Sequence, residues 1–127
     1  MTESQITSRL LKQLRDDLTG AVVFKHNDRI TSGIPDFSVT CSNRTSWWEC
    51  KLADPQFCGQ GLQELMMLRL AAAGYARYVV WEQRRGLERT LIVHPKHIGD
   101  LMPEAWCVGF DHRWLVEQIR KAHSAHG

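Results

Sequence analysis

The chain has 127 residues, 43% of them hydrophobic and 24% charged, which suits one domain (residues 1–127) around one core and argues against a disordered or membrane-embedded chain. Sixteen Lys/Arg against 14 Asp/Glu give a net charge of +2 and a pI near 8.4; this is too mild to identify a nucleic-acid binder, yet it permits a basic face around an acidic site. No apolar run approaches the roughly 20 residues needed to cross a bilayer, and the first five residues lack the features of a secretion signal, so a cytoplasmic protein is expected, with Cys41, Cys50, Cys58 and Cys107 as free thiols.

In chain order, Thr2 with Gln5 fits a capping box, and Ile6, Leu10, Leu11, Leu14 and Leu18 follow helical spacing up to Gly20. Residues 21–25 read as a short strand and 26–33 as a polar loop. Phe37, Val39 and Cys41 alternate with Asp36, Ser38 and Thr40, the period of a half-buried strand, and a turn at 42–45 leads into a partner strand at 46–52. A helix is expected over 61–73, with Leu62, Leu65, Met66 and Leu70 as its buried stripe and Gly74 as its stop. Strands are expected at 75–81 and 89–93, joined through Arg84, Arg85 and Gly86, then a short helix within 94–101. Asp111 can cap a last helix carrying Trp114, Leu115, Gln118, Ile119 and Ala122. The order αβββαβ, then β-α, argues for an α/β fold: a mixed central sheet flanked by helices.

The chemistry concentrates in Ser32-Gly33-Ile34-Pro35-Asp36-Phe37 and Trp47-Trp48-Glu49-Cys50-Lys51. In a strand, side chains alternate faces, so Glu49 and Lys51 share one side while Cys50 points to the other. If the two strands pair, Asp36 and Glu49 converge on one hard cation with an ammonium beside it. Mg²⁺ takes oxygen ligands and usually only one or two carboxylates; the backbone carbonyl of Cys50 can add a third ligand. Phosphodiester hydrolysis needs an activated water, charge neutralisation on the phosphate and help for the leaving oxygen; Lys51 would orient the water or stabilise developing charge. Taken alone the spacing is common, and its bland alternative is a solvated strand face of alternating charge.

Gly33-Ile34-Pro35-Asp36, Glu49-Cys50-Lys51 and Gln63, with Ala73-Gly74 closing its helix, resemble the PD-(D/E)XK nuclease superfamily over about residues 3 to 82, and most of all its small standalone VRR-NUC type, often phage-borne and related to Holliday-junction resolvases. The family's Val-Arg-Arg signature has no literal copy at the corresponding helix. The resemblance implies a restriction-endonuclease-like core, with Asp36 and Glu49 as metal ligands, Lys51 as the catalytic lysine, Gln63 supporting the site and Glu3 as an accessory acid. Glu3 shares a helical stripe with Ile6, Leu10 and Leu14; it equally suits a first-turn acid favoured by the helix dipole. Gln63 equally suits a surface position.

Lys25, His26 and Arg29 sit close in sequence to the site loop, and Arg84, Arg85 and Arg89 surround a later turn; each can grip a phosphate or simply be solvated. Trp47 and Trp48 must face opposite ways. Both suit core packing, and Trp47, on the Glu49 side, can alternatively stack on an unpaired base. His94-x-x-His97 and His123-x-x-His126 have helical spacing, but Pro95 interrupts the first, the second falls in a terminal tail, and no Cys-x-x-Cys occurs, so zinc is not expected.

The reading is therefore a Mg²⁺- or Mn²⁺-dependent DNA endonuclease. The resemblance implies recombination or repair substrates such as Holliday junctions, flaps or nicked ends, and a phage or bacterial source. So small a domain offers little surface for reading sequence, which favours structure-selective cutting by a homodimer, with Trp114 and Ile119 in the contact. The alternatives are a sequence-directed restriction-like or nicking endonuclease, a DNA-binding module without turnover, and a protein-interaction domain.

Overall fold

The structure, a computed structural model, describes residues 2–26, 33–53, 62–84 and 86–124, with only the backbone of Leu62 and Gln63. Helix α1 (Glu3–Asp17) opens on the expected capping box: the Gln5 amide donates to Thr2 Oγ1 at 3.2 Å and the Thr2 amide to Gln5 Oε1 at 2.8 Å. These bonds satisfy two of the amide donors that a helix start leaves without intrahelical partners. Its buried stripe is Ile6, Leu10, Leu11 and Leu14.

Strands β1 (Val22–Lys25), β2 (Phe37–Cys41) and β3 (Arg44–Ala53) form an antiparallel meander. The turn between β2 and β3 is tighter than its composition suggests. Only Ser42 and Asn43 form it, both at positive φ (55° and 63°), and β3 already starts at Arg44. Two left-handed residues give the backbone twist that matches right-twisted strands, and Asn tolerates that conformation.

Helix α2 (Leu62–Ala73) lies between β3 and the parallel strand β4 (Tyr75–Arg84), and β5 (Leu87–Val93) returns antiparallel. Two expectations fail here. Among the described side chains of α2, Met67 and not Leu65 is fully buried, while Leu65 is 47% exposed; the helix sequence is apolar on nearly every side, so periodicity cannot fix which side faces inward. A sixth strand, β6 (Ala105–Val108), also pairs with β5 where no strand was read. Four residues are too few to show an alternating pattern. The short helix expected within 94–101 is present as a single 3-10 turn, Pro95–His97.

Helix α3 (His112–Ser124) is capped by Asp111, whose Oδ1 accepts from the Trp114 amide at 3.1 Å. The sheet order is β1-β2-β3-β4-β5-β6, antiparallel throughout except for β3 beside β4. Helices α1 and α3 cover one face over Phe37, Val39, Trp48, Cys50, Val79 and Ile92; α2 and the 3-10 turn cover the other over Ala76, Tyr78, Val80, Leu91 and Val93. The fold is thus α/β, a mixed sheet between two helical layers. No helix is long and apolar enough to cross a membrane among the described residues.

Candidate active site

Strand β2 begins one residue after Asp36, and Phe37 pairs with Trp48, so Asp36 meets β3 at Glu49 and Cys50. The contact is reciprocal. The Asp36 amide donates to Glu49 Oε1 at 2.9 Å, and the Cys50 amide donates to Asp36 Oδ2 at 2.8 Å. The approach to Asp36 uses a glycine at φ 86° (Gly33) and the buried Pro35. From the other side the His26 amide donates to the Asp36 carbonyl at 2.8 Å, tying the end of β1 to the same point.

Two carboxyl groups side by side and sheltered from water resist ionisation together. Burial pushes the Glu49 carboxyl up to about 8, and the neighbouring Asp36 charge adds to that; Lys51 opposes it. Asp36 is also raised, chiefly by burial, against the Cys50 amide and Lys51. Lys51 Nζ stands 3.4 Å from Glu49 Oε2, and its side chain is 23% exposed, so it remains accessible to solvent.

Glu3, Ser4, Thr7, Lys25, His26, Asp36, Glu49 and Cys50 line a cleft of about 270 Å³. Glu3 is exposed and reaches across to accept from the Leu52 amide at 3.3 Å. It therefore bounds the cleft from α1 and contributes to the raised Asp36 value. The Cys50 thiol faces the opposite core, 1% exposed and pushed up by burial, which removes it as a nucleophile. Its backbone faces the other way: the amide points to Asp36, and the amide and carbonyl of one strand residue point to the same neighbour.

The donor set suits a hard cation. Each carboxylate has one oxygen committed to a backbone amide, leaving Asp36 Oδ1 and Glu49 Oε2, the latter beside Lys51. Among the described residues no three His, Cys, Asp or Glu gather as a metal-binding group. Two carboxylates with a carbonyl and waters match the habits of Mg²⁺ rather than a protein cage for zinc or calcium.

Other expected residues are more scattered. Lys25 lines the cleft, whereas Arg84 lies at the far end of β4, 3.7 Å from Glu82. Arg29 and Arg85 lie outside the described residues, as does the Gln63 side chain. Trp48 is fully buried; Trp47 is half-buried on the Glu49 side, with His26 stacked on it at 5.3 Å. That stack, and the bond of 2.9 Å between His26 Nε2 and Ser38 Oγ, were not legible in the sequence.

His94 accepts from the Lys96 amide as a turn cap. His123, expected in a terminal tail, is instead buried on α3 at 7% exposure. Its Nδ1 faces the Cys41 carbonyl at 3.3 Å, so Nδ1 carries the proton and Nε2 accepts from Ser46 Oγ at 2.8 Å, which in turn accepts from Trp48 Nε1 at 2.7 Å. This chain of bonds locks α3 onto β3. It borders a larger cleft, about 540 Å³, at the opposite end of the sheet, away from the paired carboxylates. Ile119 is fully buried against the sheet and is not available for a contact between copies.

No family model matches the chain, and no curated protein matches it.

Proposed function

We propose that the chain is a Mg²⁺- or Mn²⁺-dependent DNA endonuclease built on a PD-(D/E)XK core, with Asp36, Glu49 and Lys51 as its working residues. The observation that carries this reading is the reciprocal pair of hydrogen bonds that sets Asp36 beside Glu49, in a cleft with Lys51 on the same strand face. The element order α1-β1-β2-β3-α2-β4 and the parallel β3–β4 pair support the core.

A divalent cation held by Asp36 and Glu49, with the Cys50 carbonyl as a further ligand, would supply charge neutralisation on the phosphate and a water acidified for attack. The residues do the rest. The two backbone amides fix the carboxylates before substrate arrives, so no reorganisation is needed during reaction. Lys51 presents its ammonium where charge builds on the phosphorus oxygens and holds the attacking water in line. Lys25, at the rim, contacts a neighbouring phosphate. Glu3 acts as an accessory acid through water, and Gln63 supports the site from α2.

The substrate proposed is branched or flapped duplex DNA in recombination or repair, cut by a homodimer, because the exposed surface of one small domain is short for reading sequence. Cleavage of labelled four-way junction, flap and plain duplex, compared at equal enzyme concentration with sedimentation of the protein–DNA complex, tests this. Preference for branched substrates by a dimer is the expected result. Equal cutting of all three, or a monomer that stays monomeric on junction DNA, overturns the structure-selective part.

A further inference from the structure

A second distinctive surface lies on the same face of the sheet as the carboxylates. Across β3, β4, β5 and β6 the register runs Lys51–Val80–Leu91–Trp106 and, two residues further along β3, Ala53–Glu82–Arg89–Val108. Residues opposite one another, and residues two apart on one strand, share a face. Glu49, Lys51, Glu82, Arg84, Arg89 and Trp106 therefore project from the same one. Val80 and Leu91 are covered there, but Trp106 is 51% exposed and Val108 75%. Of the five tryptophans, all of them described, Trp106 alone is exposed.

The indole is not a stray apolar group. Glu82, 5% exposed, holds Arg89 at 2.7 Å and Arg84 at 3.7 Å, and the Arg89 guanidinium lies 5.2 Å from the centre of the Trp106 ring. One buried carboxylate thus fixes two guanidiniums and, through one of them, the indole. Two cations on one anion leave an excess of positive charge beside an exposed ring. Pairing two copies of the chain through this patch would set like charge against like charge across a two-fold axis. A polyanion with flat apolar groups fits the chemistry better.

We propose that this surface binds a single strand of nucleic acid, one base stacked on Trp106 and its phosphates on Arg84 and Arg89, on a path that leads to the Asp36–Glu49 cleft. The direction of that path rests on the nuclease reading. Three strand spacings put Trp106 about 14 Å from Lys51, a reach of a few nucleotides of unpaired strand. Among branched substrates the surface selects those with an unpaired arm at least that long, flaps before fully paired junctions.

The test is titration of a labelled oligothymidylate of about 12 nucleotides into the full chain in EDTA. Fluorescence anisotropy and tryptophan quenching are followed for wild type, Trp106→Ala, Trp106→Phe and Arg84→Ala. Trp106→Ala is expected to weaken binding about 5- to 150-fold, with an unchanged circular dichroism spectrum because the side chain is half exposed. Trp106→Phe recovers most of the affinity, and Arg84→Ala lowers the salt slope by about 1. Wild type that fails to bind at low salt, or Trp106→Ala that binds as wild type does, overturns the proposal. So does Trp106→Ala that only turns a dimer into a monomer, which would make the patch a contact between copies. Trp106-dependent binding without metal-dependent cutting keeps this surface and removes the nuclease. Metal-dependent cutting of a flap, with Trp106→Ala indistinguishable from wild type in both oligothymidylate binding and flap cutting, does the reverse.

Discussion

Asp36 and Glu49 hold each other through the backbone: the Asp36 amide donates to the Glu49 carboxylate, and the amide following Glu49 donates to the Asp36 carboxylate. The arrangement brings two carboxyl groups into one sheltered corner while fixing where each points. Both carboxyls are shifted up, by burial first and by neighbouring charge second. Lys51 opposes both shifts, and a divalent cation bound there, as proposed, would oppose them further.

Stability without metal should fall as pH rises from about 5 to about 8. The folded Glu49 carboxyl titrates near 8 and an unfolded one near 4.5. Between those values the folded chain holds more protons than the unfolded chain, so raising pH favours unfolding. Mg²⁺ or Mn²⁺ should offset the loss, and its stabilising effect should grow with pH because binding expels the proton. Thermal melts at several pH values, with and without the ion, measure both slopes; an ion effect that is flat with pH contradicts the account.

Glu49→Gln keeps a side-chain oxygen to accept from the Asp36 amide and removes the charge. The metal-free variant is expected to melt higher than wild type at pH 8, to show no ion-dependent shift and to lose cutting. Melting lower than wild type at pH 8 would mean that Glu49 is held charged by its surroundings.

Lys51→Ala should leave the fold intact, since the side chain is partly exposed to solvent. The loss expected is about 100- to 1,000-fold in single-turnover cleavage, with DNA affinity changed far less. A parallel fall in affinity and rate would mark Lys51 as a binding residue only.

Ile119→Ala removes a fully buried side chain from α3 and should cost about 2–5 kcal/mol in urea unfolding. Ser46→Ala should cost about 1–3 kcal/mol, because Trp48 Nε1 and His123 Nε2 both lose their shared partner. If Ile119→Ala instead changed oligomeric state at unchanged stability, α3 would be a contact surface after all.

Local signals carried much of this structure. The Thr2–Gln5 capping box, the α1 stripe and the strand at Phe37–Cys41 each act within a few residues and each element appears as read, but burial along that strand does not alternate: Ser38 is buried beside Phe37 and Val39, and Cys41 is no more buried than Thr40. Glu49 and Lys51 on one face, with Cys50 on the other, follow from strand geometry alone. What the sequence hid was either ambiguous or distant. Helix α2 has too many apolar residues to reveal its inner side, so Met67 was missed. Strand β6 exists because β5 offers it an edge, not because Ala-Trp-Cys-Val insists on it. Glu3 on the Leu52 amide and His123 on Ser46 join positions 49 and 77 residues apart, and no window along the chain spans them.

The most direct test of the central claim is single-turnover cleavage of a labelled flapped junction by wild type, Asp36→Ala and Lys51→Ala, in EDTA and then in Mg²⁺ or Mn²⁺. The account predicts cutting by wild type only with the ion, and loss of cutting in both variants while each still melts as a folded protein. Ion-independent cutting, or full activity in folded Asp36→Ala, would contradict it.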